Sequence, residues 1–208
     1  MSLAQKLSLL LSIALFVVLG VAGIVISSWL GNRMEQRSVA AMSQTNQQVL
    51  DTIDAYASVL ENNARNSAAQ LAANLPQPLR SDSSAPVSVS GISTPALYGG
   101  ELLLNGNDAL VDRFSVATRG VATLFVREGD DFVRIASSLK KEDGTRAVAT
   151  RLDHDHPAYP LLRGGQPYTG TANLFGRDYM THYLPLKDGS GAVVGAMFAG
   201  IDYSDGLQ

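Results

Sequence analysis

The chain has 208 residues, a net charge of −3 at pH 7 and no cysteine. The missing thiols exclude disulfides, thiol catalysis and zinc–thiolate sites. The acidic balance argues against a nucleic-acid partner, because phosphate binding needs a basic face. The length suits one ordinary domain with an added stalk.

Residues 7–32 carry no charge, between Lys6 and Arg33, and most are apolar. As a helix this run extends about 39 Å, against roughly 30 Å of bilayer hydrocarbon. It is too long for the apolar core of a cleaved signal peptide. Trp29 also stands at its outer end, where an interfacial aromatic belongs. Residues 1–32 are therefore expected to be a retained transmembrane anchor with a short cytoplasmic N-terminus. Lys6 and the terminal amine are nearly balanced by Arg33 and Arg37, so charge alone does not set the orientation.

Residues 33–75 contain no proline or glycine and predict one long stalk helix. Val39, Met42, Val49, Ile53, Tyr56, Leu60, Ala64, Ala68, Leu71 and Leu75 fall at helical steps and form a stripe. The stripe is weak as a coiled-coil seam, with Asn46 and Ala64 in it. A mixture is expected: contact with a second copy near the membrane, packing on the chain's own domain further out. Pro76-Gln77-Pro78 stops the helix. Residues 76–95, rich in Ser and Pro, read as an exposed linker with one short strand at Val87–Val89.

The globular part follows, over residues 96–203. Leu102–Leu104 reads as a short strand. Asn107 or Asp108 caps a helix running to Thr118, with Leu110, Val111, Phe114 and Ala117 inward. Val121–Arg127 and Asp131–Ser137 are strands joined by a Glu128-Gly129-Asp130 turn. A helical turn at Pro157–Arg163 ends at Gly164-Gly165. Three more strands, Tyr168–Phe175, Tyr179–Leu186 and Ala192–Ile201, are joined by short connections. The expected fold class is α+β: an antiparallel sheet with helices on one side and a long helix leading in.

Strand alternation sorts candidate binding residues. Tyr179, Thr181, Tyr183 and Pro185 share one face, and Met180, His182, Leu184 and Leu186 share the other, which reads as core. Tyr168, Gly170, Ala172 and Leu174 align, and their small members leave room. Phe132, Arg134, Ala136 and Ser138 align in the same way. Arg134 suits a carboxylate, since guanidinium offers paired donors at carboxylate spacing. It equally suits an exposed strand position with a surface partner.

Other chemistry is sparse. Asp153-His154-Asp155-His156 has metal-like spacing but is followed by Pro157, and is read as a polar turn that caps the next helix through Asp155 or His156. Glu128, Asp130 and Asp131 read as turn solvation, and Lys140 and Lys141 as a solvated turn. There is no G-x-S-x-G and no P-loop, and Ser137 and Ser138 have no histidine at a readable spacing. No enzyme activity, metal or cofactor is expected.

Four strings carry a resemblance: VDRF (111–114), ATLFVREGDDFVRIASSLKKEDGTRAVAT (122–150), LDHDHPAYPLL (152–162) and GQPYTGTANLFGRDYMTHYLPLKDGSGAVVGAMFAGID (165–202). Together they resemble the single Cache domain of the Cache 3–Cache 2 fusion type, a PAS-like sheet hung on a long N-terminal helix. In bacteria such domains usually sit in methyl-accepting chemotaxis proteins, less often in sensor kinases or cyclic-di-GMP enzymes. The resemblance implies chemotaxis signal transduction and a domain in the periplasm, held at the bacterial inner membrane; the chain as written is read as single-pass, and the stalk stripe makes a homodimer the expectation. The resemblance also implies a small-molecule ligand, often a carboxylate, and it favours the ligand role for Arg134, with Tyr168, Tyr179, Thr181 and Tyr183 as pocket walls. A second transmembrane helix, a HAMP segment and an output domain are implied downstream, so residues 204–208 read as the truncated end of a longer protein. A histidine-kinase or diguanylate-cyclase input domain is the alternative, and a complete anchored dimerisation protein is another.

Overall fold

The computed structural model describes residues 3–204, with side chains described for 15–25 and 46–204. Two compact units emerge, Met1–Ala55 and Tyr56–Gln208. Helix α1 (Leu3–Ala73) is the secondary structure of the first unit and opens the second. The expected anchor falls largely outside the residues whose side chains are described. Within it, Leu15 to Val25 are exposed. No helix among the described residues is long and apolar enough to cross a membrane.

The apolar stripe of α1 changes character along its length. Val49 and Ile53, in the first unit, are exposed. In the second unit Tyr56 is exposed, while Ala64, Ala68 and Leu71 are fully or almost fully buried, and Leu75 follows them inside. Small residues at 64 and 68 let the helix backbone approach its neighbours closely. The domain-packing half of the stripe is thus where the periodicity placed it. Val39 and Met42 lie outside the described side chains.

The second unit has two sheets. Strands β1 (Leu79–Val89), β2 (Ile92–Gly99) and β3 (Leu102–Leu103) form a three-stranded antiparallel sheet in that order. This corrects the linker expected at 76–95. Ser90 and Gly91 have φ of 47° and 86°, the pair of positive values that a tight two-residue hairpin turn requires. Val87–Val89 and Ile92 flank that turn, so the signal was present. What hid the rest is an irregularity between Asp82 and Val87 in the pairing. There Asp82 Oδ1 accepts from Ser84 N and Oγ at 2.9 and 2.6 Å, a local polar turn inside a strand.

The larger sheet runs in the order β5-β4-β8-β7-β6, all neighbours antiparallel. Its strands are β4 (Val121–Glu128), β5 (Asp131–Ser137), β6 (Tyr168–Leu174), β7 (Arg177–Lys187) and β8 (Val193–Asp202). Helix α2 (Asp108–Thr118) precedes β4, and the short α3 (Ala158–Arg163) precedes β6. Expected and observed elements agree closely here, because each strand is rich in β-branched and aromatic residues and is bounded by Gly- or Asp-containing turns. Ala117 is exposed rather than inward. The buried stripe of α2 is Leu110, Val111 and Phe114, and the helix closes at Arg119 in a left-handed conformation.

Helices cover both faces of the sheet, not one. On the first face, Ala68 and Leu71 of α1, Val111 and Phe114 of α2, and Leu97 of β2 pack on Leu124, Ile135 and Met197. On the second, Ala158, Tyr159 and Leu162 of α3 pack on Phe125, Phe132, Tyr183 and Phe198. The reason is in the strands: β4 reads Ala122-Thr123-Leu124-Phe125-Val126, apolar on both sides, and both sides need cover.

The connection from β5 to α3 is fastened at several points. Arg134 N donates to Thr150 O and Ala149 N to Arg134 O, at 2.8 and 2.9 Å, so residues 149–152 run beside the outer edge of β5. Arg146 binds Asp112 of α2 through two parallel bonds of 2.7 Å, with Asp108 at 3.4 Å and Ser137 O at 2.8 Å. The Arg146 hydrogen bonds hold the Asp112 carboxyl below its ordinary range, against a smaller burial effect. This contribution is present above the ordinary carboxylate range and is lost as pH falls through the depressed folded value. Arg146→Ala is expected to cost about 1–2 kcal/mol near neutral pH, since the pair is only partly screened from water. Thermal melts of both proteins check this: the gap should shrink on acidification, and a gap independent of pH would contradict the assignment.

Candidate functional site

The second face of the sheet carries the candidate site. Phe125 pairs with Arg134 across β4 and β5, and Tyr183 pairs with Tyr168 across β7 and β6. The Arg134 guanidinium carbon lies 5.1 Å from the Phe125 ring centre. Tyr168 and Tyr183 stand 6.1 Å apart, and Phe198 of the central strand backs Tyr183 at 5.0 Å. The His156 ring completes the group, 5.2 Å from Tyr183 and 5.7 Å from Tyr168. The result is a packed aromatic cluster with the Arg134 cation close enough to act on the Tyr183 phenol.

Two details explain why the residues stand this way. The pairing of β4 with β5 slips between Leu124 and Phe125, which places an extra residue in β5. Before the slip, Phe132 and Arg134 face the site together. After it, Ala136 turns to the first face with Leu124, and Ser137 turns to the second and pairs with Thr123. The expected run Phe132, Arg134, Ala136, Ser138 is therefore broken after Arg134, because a bulge shifts every later side chain to the opposite face. On β6, Gly170 is open for a reason. A Cβ there would lie 2.2 Å from the Tyr168 hydroxyl oxygen, so the tyrosine ring lies along the strand over the glycine.

The electrostatics are uneven. Arg134 is half-buried. Its Nη1 donates to Thr150 Oγ1 at 2.7 Å and to Arg151 O at 3.4 Å. Among the described residues it forms no ion pair, and its Nε and Nη2 have no acceptor. No buried side-chain nitrogen or oxygen among the described residues lacks a partner, so those two donors reach solvent. The neighbouring arginines differ. Arg151 pairs with Glu128 and Asp131 at 3.1 and 2.9 Å, and Arg163 pairs with Asp130 at 2.7 Å. The hairpin acids expected to be turn solvation are thus consumed in fastening the 150–163 segment over the sheet. Burial pulls the Arg134 guanidinium below the ordinary arginine range. Burial pushes the Tyr183 phenol up to about 12, so it stays a neutral hydroxyl.

The sequence-derived candidates separate into two groups. Tyr168 and Tyr183 come together, and Arg134 reaches near enough to act on Tyr183. Thr181 is fully buried within β7, and its hydroxyl donates to Gly170 O of β6 at 2.6 Å. Tyr179, two steps further along β7 (about 13 Å from Tyr183 along the strand), packs with Leu139 and Ala147 in a separate cluster. Phe125 and Thr150 carry no site signal of their own in the sequence, and His156 reads there only as part of a capping turn. Phe125 was legible as the partner of Arg134 across a short hairpin. Thr150 depends on a long loop that no local signal places.

The Asp-His-Asp-His tract is split. His154 bonds Asp131 at 2.6 Å and stacks on Tyr159 at 4.1 Å, while His156 Nδ1 accepts from Ala158 N at 3.1 Å. The N-cap of α3 is Pro157, without a side-chain cap bond, and His156, one residue earlier, accepts from the first helical N–H in its place. Elsewhere, a cavity of about 350 Å³ lies between the end of α1 and α2, on the first face. Its lining is mostly apolar (Leu71, Leu102, Leu110, Phe114), and Arg113 spends its Nε on Ala109 O of its own helix. Gln70, Asn74 and Thr118 add polar groups to that lining.

A model of the Cache 3/Cache 2 fusion domain matches residues 29–208. The chain belongs to that family. A Cache domain is an extracytoplasmic sensory module that binds small molecules. The match takes in α1 from residue 29 onward as well as both sheets, so the helix and the smaller sheet are parts of this Cache domain. A search of curated proteins finds no significant match.

Proposed function

We propose that the chain is the extracytoplasmic sensing module of a membrane chemoreceptor and that it binds a small organic anion between Arg134, Tyr168 and Tyr183. One observation carries the ligand class: a half-buried guanidinium beside an aromatic cluster has two unused donors and no carboxylate partner among the described residues. A cation taken from water without a partner is unfavourable, and an anion that completes it recovers that cost. A carboxylate fits the remaining two-donor edge. Among the described residues no carboxylate side chain touches the guanidinium, so its free edge is open to an anion. The reading makes the chain a binding module rather than an enzyme, anchored through residues 1–32 and paired through the exposed part of the α1 stripe.

A thermal-shift screen of the full chain with organic acids, amino acids and purines tests the ligand class. Organic acids are expected to raise the melting temperature with concentration, as any ligand specific to the folded state does. Stabilisation by purines or amines alone would contradict it. Pairing through α1 predicts that sedimentation shows association weakened by Ile53→Asp, since the helix stripe is exposed in the single chain. A strict monomer at high concentration would count against that part.

A further inference from the structure

We propose that His156 is a second ligand-binding group, a neutral imidazole that donates through Nε2–H to an oxygen of the anion held by Arg134. This rests on the reading of Arg134 and the aromatic cluster as an anion site and extends it to a residue in the tract that looked like a metal motif.

The tautomer follows from one bond. Ala158 N–H donates to His156 Nδ1 at 3.1 Å. A ring nitrogen that accepts carries no hydrogen, so in the neutral ring the proton sits on Nε2. That nitrogen has no partner among the described residues, and the absence of buried unpaired polar atoms there means that solvent reaches it. The ring stands against Tyr183 and Tyr168, the aromatic walls of the site. It is also near enough to Arg134 for that cation to act on it.

The donor is also held in place. Before it, Arg151 and His154 both grip Asp131, at 2.9 and 2.6 Å. After it, α3 is buried through Ala158, Tyr159 and Leu162. The segment therefore fixes the ring rather than letting it swing to water, and a preorganised donor gives up less freedom when it binds.

Four groups set its charge. Arg134 faces it from β5, Tyr168 from β6 and Tyr183 from β7, while Asp153 lies in its own turn. Burial and the Arg134 cation hold the imidazole below its ordinary range, and only Asp153 opposes them. Protonation would also break the Ala158 N–H bond, because Nδ1 would become a donor. All of these favour the neutral ring, with and without an anion.

Two measurements decide it. Nitrogen-15 histidine NMR of the full chain near pH 7 should show His156 as the Nε2–H tautomer. A cationic ring or the Nδ1–H tautomer would overturn the proposal whatever binds. Calorimetry with sodium acetate and sodium benzoate should show His156→Phe, which keeps a ring, weaker than wild type by about tenfold. His156→Gln, which restores a neutral donor, should lie within about threefold. Affinity should be flat between pH 6 and 8. If Arg134→Met loses binding while His156→Phe keeps it, the anion site stands and this inference falls. If neither acid binds the wild type, or Arg134→Met binds them unchanged, the anion reading fails and this inference with it. A pH dependence that vanishes in His156→Gln would show a titrating cation and would also overturn it.

Discussion

Replacing Arg134 by methionine is expected to weaken binding of a small organic acid by about ten- to hundredfold, the worth of a charge-assisted bond of roughly 1.5–3 kcal/mol. Folding stability without ligand should change by less than about 1 kcal/mol, or rise slightly. The two halves have one cause. The guanidinium is half-buried, is pulled below its ordinary range by burial, and has only Thr150 Oγ1 and Arg151 O as acceptors. In the ligand-free protein it is a partly desolvated charge without a counter-ion, which adds little to stability. Methionine keeps the unbranched stem that lies near Phe125 and removes the charge. Thermal melts and calorimetry on the same preparations check both halves. A loss of several kcal/mol in the melt would show Arg134 to be structural, and the site assignment would fail.

The largest effect on folding is expected from Gly195→Ala. Gly195 lies in β8, between Val126 of β4 and Leu186 of β7. An added Cβ would stand 2.2 Å from the carbonyl oxygen of Phe125 and 3.4 Å from Leu97 of the smaller sheet. The obstructing atom is backbone in the middle of the sheet, so relief requires β4 and β8 to part. A cost of about 3 kcal/mol follows from overpacking of this kind. For a unit of this size that lowers the melting temperature by roughly 6–12 °C. Gly189→Ala is the control, because nothing lies within 4 Å of its Cβ position and its φ is not positive. Equal melting temperatures for the two variants would contradict the close approach of β4 and β8. Because Phe125 belongs to the aromatic cluster, Gly195→Ala is also expected to weaken acid binding before it unfolds the chain.

Much of this architecture was legible in the order of residues, and the failures have physical causes. Strands β4 to β8 and helix α2 announce themselves through β-branched and aromatic runs punctuated by turns, which are local properties. The hairpin β1–β2 was not legible beyond Val87–Val89, because Asp82 and Ser84 bond each other inside the strand and make it look like a loop. The placement of α3 on the second face depends on Arg151, His154 and Arg163 meeting acids of the β4–β5 turn, contacts distant in sequence. The site divides along the same line. Arg134, Tyr168 and Tyr183 share a face by alternation on regular stretches of strand. Alternation fails past the β5 bulge, where Ala136 leaves the site and Ser137 enters that face. It also cannot measure distance along a strand, which is why Tyr179 aligns with Tyr183 yet packs elsewhere. His156 was read only as part of a capping turn, and its approach to the aromatic cluster is a tertiary property.

Removing charge from the ligand tests the central claim more directly than removing it from the protein. Calorimetry on the full chain would compare the organic acid that stabilises it most with that acid's primary amide, in wild type and in Arg134→Met. The amide keeps nearly the same shape and one carbonyl oxygen, so aromatic contacts are preserved and only the charge at the guanidinium changes. The wild type is expected to prefer the acid by about ten- to hundredfold, and Arg134→Met is expected to bind acid and amide alike. Equal affinities in the wild type, or a preference for the acid that persists in Arg134→Met, would contradict an anion site built on Arg134.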